Sequence, residues 1–129
     1  MQDEYPGTAA PKATLLVIKG PKLGLCYELG DRTRIGRGND NDIQIPDANV
    51  SRVHAEITRR GHAFLLTDCE SKNGVMVNGK LASEHVLLRN DEIRIGNTVF
   101  LFNSELRIGN PLYSSSPVYI YPADSDTVV

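Results

Sequence analysis

The sequence predicts an all-β fold, a sandwich of two antiparallel sheets, and three observations carry that prediction. Apolar runs of four to six residues recur along the chain, several with strict two-residue alternation. Gly, Asn, Asp and Pro punctuate the runs at short intervals. No segment sustains a helical period over ten residues. Alternation leaves one face of each strand for a shared interior, as two stacked sheets require. A closed barrel fits the same spacing.

Taken in order, "TLLVIK" from Thr14 is an apolar run closed by the breaker "GPKLG". "LCYEL" alternates and stops at "GD", and "TRIG" ends at Gly36. "IQI" follows a polar loop and ends at Pro46. "VHAEITR" places Val53, Ala55 and Ile57 on one side and His54, Glu56 and Thr58 on the other. "AFLLTD" follows a turn at "RGH". "VMVNGKLA" carries Asn78-Gly79 between two extended arms, the strongest short hairpin signal a sequence offers. "EIRIG" and "TVFLF", joined at Asn97, form a last hairpin. These segments make nine to eleven strands. The predicted organisation is a flexible lead-in over 1–12, a domain over 13–104, and a linker or extension over 105–129 marked by "SSSP" and an acidic end. The stop at "TVV" suggests a chain cut from something longer.

A chain of 129 residues suits one domain with a real core. Its net charge of −2 gives no global pull toward nucleic acid, but arginines 32, 34, 37, 52, 59 and 60 crowd into one stretch. Cys26 and Cys69 lie in or beside apolar runs, so two reduced thiols, one or both buried, are expected. No apolar stretch approaches a membrane span of about 18 residues. The first residues lack the basic start and apolar stretch of a secretory signal, so the expected location is the cytoplasm.

Three loops have unusual chemistry. "GRGNDND" flanks Arg37 with glycines, which permit positive φ and can swing a side chain out from a strand end. "PDANVSR" follows, then "DCESKNG", whose Asn73-Gly74 suits a tight turn. In a sandwich, one end can collect such loops, and with them Arg37, Ser51, Arg52, Lys72 and Asn73. A guanidinium, a hydroxyl, further cations and an amide suit a phosphate monoester beside a peptide backbone, and suit catalysis poorly.

"IGR" at 35–37, "SRVH" at 51–54, "SKNG" at 71–74 and "VNG" at 77–79 resemble, in order and spacing, the signature of the forkhead-associated (FHA) domain family. The resemblance covers about residues 14–103. It implies an eleven-stranded β-sandwich that binds phosphothreonine peptides through loops at one end, with no cofactor, no metal and no catalysis. By position, Arg37 would grip the phosphate, Ser51 would donate its hydroxyl to it, and Arg52 and Lys72 would add basic contacts. Asn73 would bond the peptide main chain. Gly36, His54, Gly74, Asn78 and Gly79 would hold the loops in shape. Beyond the phosphate, Asn49 and the "RGH" and "RND" turns are the candidates for choosing the ligand's flanking residues. Val75 departs from the Thr often found after "SKNG", a change of packing at a strand start. The family also implies a regulatory domain, here the N-terminal one of a larger bacterial protein, of a kind found beside kinases or transcription regulators. Its partner would be a phosphothreonine protein, or a phosphosite of the same chain such as Thr8 or Thr127.

Other classes fit less well. Ser51 and His54 as nucleophile and base would need an orienting acid, for which Asp47, Asp68 or Asp91 could be named, but no Gly-x-Ser-x-Gly elbow or other nucleophile motif is present. If a strand begins at Ser51, residues three apart also point to opposite faces. Metal binding lacks any C-x-x-C or H-x-x-x-H spacing. Single-strand nucleic-acid binding would want exposed aromatics on a basic surface, and the chain has no Trp and only three Phe. An FHA-fold assembly domain that grips its partner by a sheet face, without phosphate, is the remaining alternative.

Overall fold

A computed structural model describes residues 12–105. They form eleven strands: β1 (Ala13–Lys19), β2 (Cys26–Glu28), β3 (Arg32–Gly36), β4 (Ile43–Gln44), β5 (Ala55–Arg60), β6 (Ala63–Asp68), β7 (Val75–Val77), β8 (Lys80–Ala82), β9 (Glu84–Val86), β10 (Glu92–Ile95) and β11 (Thr98–Ser104). A six-stranded sheet runs β2-β1-β11-β10-β7-β8, and a five-stranded sheet runs β4-β3-β5-β6-β9. Both sheets are open at their edges, so the architecture is a sandwich and not a barrel. The expected lead-in and C-terminal extension, with Thr8 and Thr127, lie outside the described residues.

Period-two patterning builds the interior. β1 alternates buried Ala13, Leu15 and Val17 with half-exposed Thr14, Leu16 and Ile18. Opposite it, β11 turns Phe100 and Phe102 inward. The second sheet contributes Ile35, Ile57, Phe64 and Leu66, all at most 2% exposed. The Phe64 and Phe102 rings, one from each sheet, lie 5.8 Å apart between centroids and tie the two layers together. Burying each such ring stabilises the fold by about 1.5–3 kcal/mol.

Two hairpins form as the sequence indicates. Asn78 and Gly79, at φ 53° and 83°, join β7 to β8 with Val77 opposite Lys80. Both central residues take positive φ, the backbone twist that a two-residue hairpin favours. Gly96 and Asn97 join β10 to β11, with Ile95 opposite Thr98.

Four expectations are corrected. The sheets are not wholly antiparallel: β3 and β4 pair in parallel, Ile35 with Ile43 and Gly36 with Gln44, because the chain loops back through 37–42 before re-entering the edge. β9 was not anticipated; Glu84-His85-Val86 has too little apolar texture and pairs only with β6 at the sheet edge. β5 starts at Ala55, so the expected alternation fails at its beginning: His54 is fully buried and Val53 is half-exposed. Neither cysteine is buried. Cys26 is exposed because the short edge strand β2 turns Tyr27 toward Phe100 instead, and Cys69 is half-buried just after β6.

Candidate functional site

β3 delivers the chain into the 37–42 loop against the 50–54 segment, and the two backbones lie in direct contact. Arg37 N–H donates to Ser51 O at 2.9 Å, Gly38 N–H to Arg52 O at 3.1 Å, and His54 N–H to Ile35 O at 2.8 Å. A Cβ on Gly36 would sit 2.3 Å from the Arg52 carbonyl oxygen. That approach, and not positive φ, is why position 36 is glycine. Neither Gly36 nor Gly38 has positive φ, contrary to the sequence argument for Arg37's flanks.

Arg37 is exposed, but its base is fixed: Nε donates to Val50 O at 3.0 Å. Among the described residues the two terminal nitrogens of its guanidinium have no partner, so they point a prepared fork of donors outward. Asn41 braces the turn behind it, with Nδ2 donating to Gly38 O at 2.8 Å and to Arg52 O at 2.7 Å. Sequence reasoning missed Asn41, which is indistinguishable there from the other polar residues of "NDND".

Ser51 and His54 do meet, since the 51–54 segment is not strand. The contact is backbone to ring: Ser51 N–H donates to His54 Nδ1 at 2.9 Å. Nδ1 accepts, so the ring proton resides on Nε2, which donates to Gly74 O at 2.8 Å. With both nitrogens committed and the ring 0% exposed, His54 is a strut between two loops and cannot serve as a base. The Ser51 hydroxyl oxygen accepts from Lys72 N–H at 2.9 Å, which leaves its own proton to be donated elsewhere.

The third loop reaches the same place from β6. Ser71 is its hidden anchor: its hydroxyl donates to Asp68 Oδ1 and accepts from Gly74 N–H at 2.9 Å. Gly74 takes φ 82°, a conformation that strains any side chain. Asn73 Nδ2 donates to Asn49 O at 2.8 Å, across to the second loop. Asn49 N–H in turn donates to Asp47 Oδ1 at 2.9 Å, and Asn97 N–H to Asp47 Oδ2 at 3.0 Å. Those backbone donors, Asn49 first and then Asn97, hold the Asp47 carboxyl below its ordinary pKa. Burial pushes the Cys69 thiol up, with the Glu56 and Asp68 carboxylates adding to the effect.

Arg37, Ser51, Arg52, Lys72, Asn73 and Asn49 therefore share one hydrogen-bonded loop cluster, with Gly36, His54 and Gly74 inside it. The side chains of Arg52 and Lys72 are exposed and make no hydrogen bond or ion pair among the described residues. Asn78 and Gly79 are elsewhere. They sit at the far end of β7, where Asn78 Nδ2 donates to Asp91 Oδ1 at 2.9 Å and Asn78 Oδ1 accepts from Glu92 N–H at 2.9 Å. They brace their own hairpin, not the loops of the site.

The FHA domain family model matches residues 33–96. The oxoglutarate dehydrogenase inhibitor of Corynebacterium jeikeium is 38% identical over 97 residues, 74% of this chain and 67% of that protein. This chain belongs to the FHA domain family. The glycogen accumulation regulator GarA of Mycolicibacterium smegmatis is 37% identical over 97 residues, 74% of this chain and 61% of its own length. A domain solved in a structural and functional analysis of phosphothreonine-dependent FHA domain interactions superposes with TM-score 0.66 at 35% identity, covering 71% of this chain and 95% of that one. An inhibitor and a regulator as relatives, within this family, make the FHA domain here a binding module and not an enzyme. Among the described residues no helix is long and apolar enough to cross a membrane.

Proposed function

We propose that the loop cluster binds a phosphothreonine in an extended segment of a partner protein. The observation that carries this reading is Arg37: anchored through Nε to Val50 O, it offers the rest of its guanidinium to solvent beside the Ser51 hydroxyl's segment. A phosphothreonine brings about −1.5 to −2 charges and three acceptor oxygens at neutral pH. Charge-assisted bonds from guanidinium are about twice as strong as neutral ones and can be bidentate. Arg37 is the principal phosphate donor, and Ser51 donates its hydroxyl proton to a second oxygen. Arg52 and Lys72 add positive potential from the rim.

Asn73 does a different job. One of its amide hydrogens is committed to Asn49 O, which orients the group and leaves Oδ1 to accept a main-chain N–H of the ligand. Asn49 faces the ligand's flanking residues. Residues 13–104 constitute the binding domain, since β1 and β11 close it with Ala13 opposite Ser104. The module acts inside the cell as the regulatory part of a larger protein. Relatives named for a dehydrogenase and for glycogen accumulation favour control of metabolism over control of transcription.

An oriented phosphothreonine peptide library, titrated beside its phosphoserine and unphosphorylated counterparts, tests the reading. Phosphothreonine should bind, phosphoserine more weakly by roughly the tenfold or so that one methyl in a niche provides, and the unphosphorylated set not at all. Truncating one side of a charge pair costs about 2–5 kcal/mol, so Arg37→Ala should weaken binding by at least about 30-fold. Affinity indifferent to the phosphate would end the proposal.

A further inference from the structure

The outer face of the six-stranded sheet carries apolar side chains on both sides of β10, whose Glu92 and Arg94 stand between them, and the loop site does not explain these apolar groups. Cross-strand neighbours there are Leu16 with Leu101 and with Cys26, Val99 with Arg94, Arg94 with Met76, and Met76 with Leu81. A bulge between Val17 and Lys19 adds Ile18 to the same surface. Leu81 is 72% exposed. A groove of about 310 Å³ is lined by Ile18, Met76 and Val99 together with Lys19, Glu92 and Arg94, the last of these between Val99 and Met76. Apolar side chains grouped on one exposed sheet face mark a surface that something covers.

We propose that the chain's own C-terminal segment, centred on Val118–Tyr121, packs across this groove. Twenty-four residues, 106–129, follow the described part of the chain, and they start from β11, which itself forms the middle of the face. Residues 106–117 extend to about 40 Å at full stretch. The six-stranded sheet is only about 24 Å wide and β11 about 20 Å long, so every point of the face is in range. Tethering also holds the segment at an effective concentration of order millimolar.

The chemistries match. "VYIY" is the one dense apolar run in the tail, and uncovered it is a β-prone aggregation hazard. In an extended segment Tyr119 and Tyr121 share a face. Tyrosine rings suit Ile18, Val99 and the Met76 thioether, and tyrosine hydroxyls suit the charged groups of Lys19, Glu92 and Arg94. Asp124 and Asp126, just beyond, are complementary to Lys19 and Arg94. This assignment is independent of the phosphopeptide reading and survives its failure.

Methionine provides the test, because the chain has only Met1 and Met76. In the full chain labelled at methionine methyls, the Met76 methyl should be shifted upfield by a tyrosine ring and should show nuclear Overhauser contacts to tyrosine ring protons. Both should persist on dilution and vanish in Tyr119→Ala/Tyr121→Ala. That variant changes only residues outside the described fold. A Met76 signal identical in the full chain and the double variant overturns the proposal. So do contacts seen only between differently labelled molecules in a mixed sample, which would make a second copy the occupant.

Discussion

Asn73-Gly74 and Asn78-Gly79 are the same dipeptide at the two ends of β7, yet the molecule uses them in opposite ways. Their glycines are conformationally alike, at φ 82° and 83°. Their asparagines are not. Asn78 adopts positive φ itself, and both ends of its amide are consumed by the fold, one by the buried Asp91 and the other by Glu92 N–H. Asn73 is exposed and spends one amide hydrogen on Asn49 O, with its oxygen unspent among the described residues. A polar side chain that is fully satisfied internally holds a fold together. One that is half satisfied is oriented for a guest.

The largest effect that separates them is on stability. Asn78→Ala should destabilise the domain by about 2–4 kcal/mol, from two lost hydrogen bonds, one to a buried carboxylate, and the left-handed backbone. Denaturant unfolding would show it, and phosphopeptide affinity measured well below the midpoint should be unchanged. Asn73→Ala should do the reverse: phosphopeptide binding about tenfold weaker, with under about 1 kcal/mol lost from the fold, since water can serve the exposed Asn49 carbonyl. If Asn73→Ala unfolds the protein and leaves binding intact, the contrast is wrong.

Smaller effects sharpen the same contrast. Asp47 holds Asn49, the anchor of Asn73, and its folded pKa lies below its ordinary 3.8. A depressed carboxyl stabilises the fold above the unfolded value, and that stability is lost as pH falls through the folded one. Thermal midpoints of the native protein and Asp47→Asn should therefore converge as pH drops below about 4. The smallest effect is chemical. Iodoacetamide should modify exposed Cys26 ahead of Cys69, whose thiol is half-buried and pushed toward the protonated form, as intact mass against time would record.

Legibility in the sequence followed the range of the interaction. The β10–β11 and β7–β8 hairpins were readable because alternation and an Asn-Gly pair are local signals. β9 was not, since a three-residue edge strand owes its conformation to β6 rather than to its own composition. The parallel pairing of β3 with β4 depends on how a loop returns, which periodicity does not encode. At the site, residue types were visible and the supports were not. Gly36 invited an argument about φ, but crowding against the Arg52 carbonyl is what excludes a side chain there. Asn41 acts by bonding the Arg52 carbonyl, which only the folded chain brings near, while Ser71 with Asp68 forms a local turn whose residue types look like those of any polar loop. The Ser51–His54 contact escaped a face-alternation argument because the strand begins after both residues.

The pairing of Ala13 with Ser104 sets a limit on leash length. From Ala13, β1 runs about 20 Å before it reaches the loop end at Lys19. Thr8 precedes Ala13 by five residues, a stretch of at most about 18 Å. Thr8 therefore has little slack toward the loop end, whereas Thr127, which follows Ser104 by 23 residues, has far more.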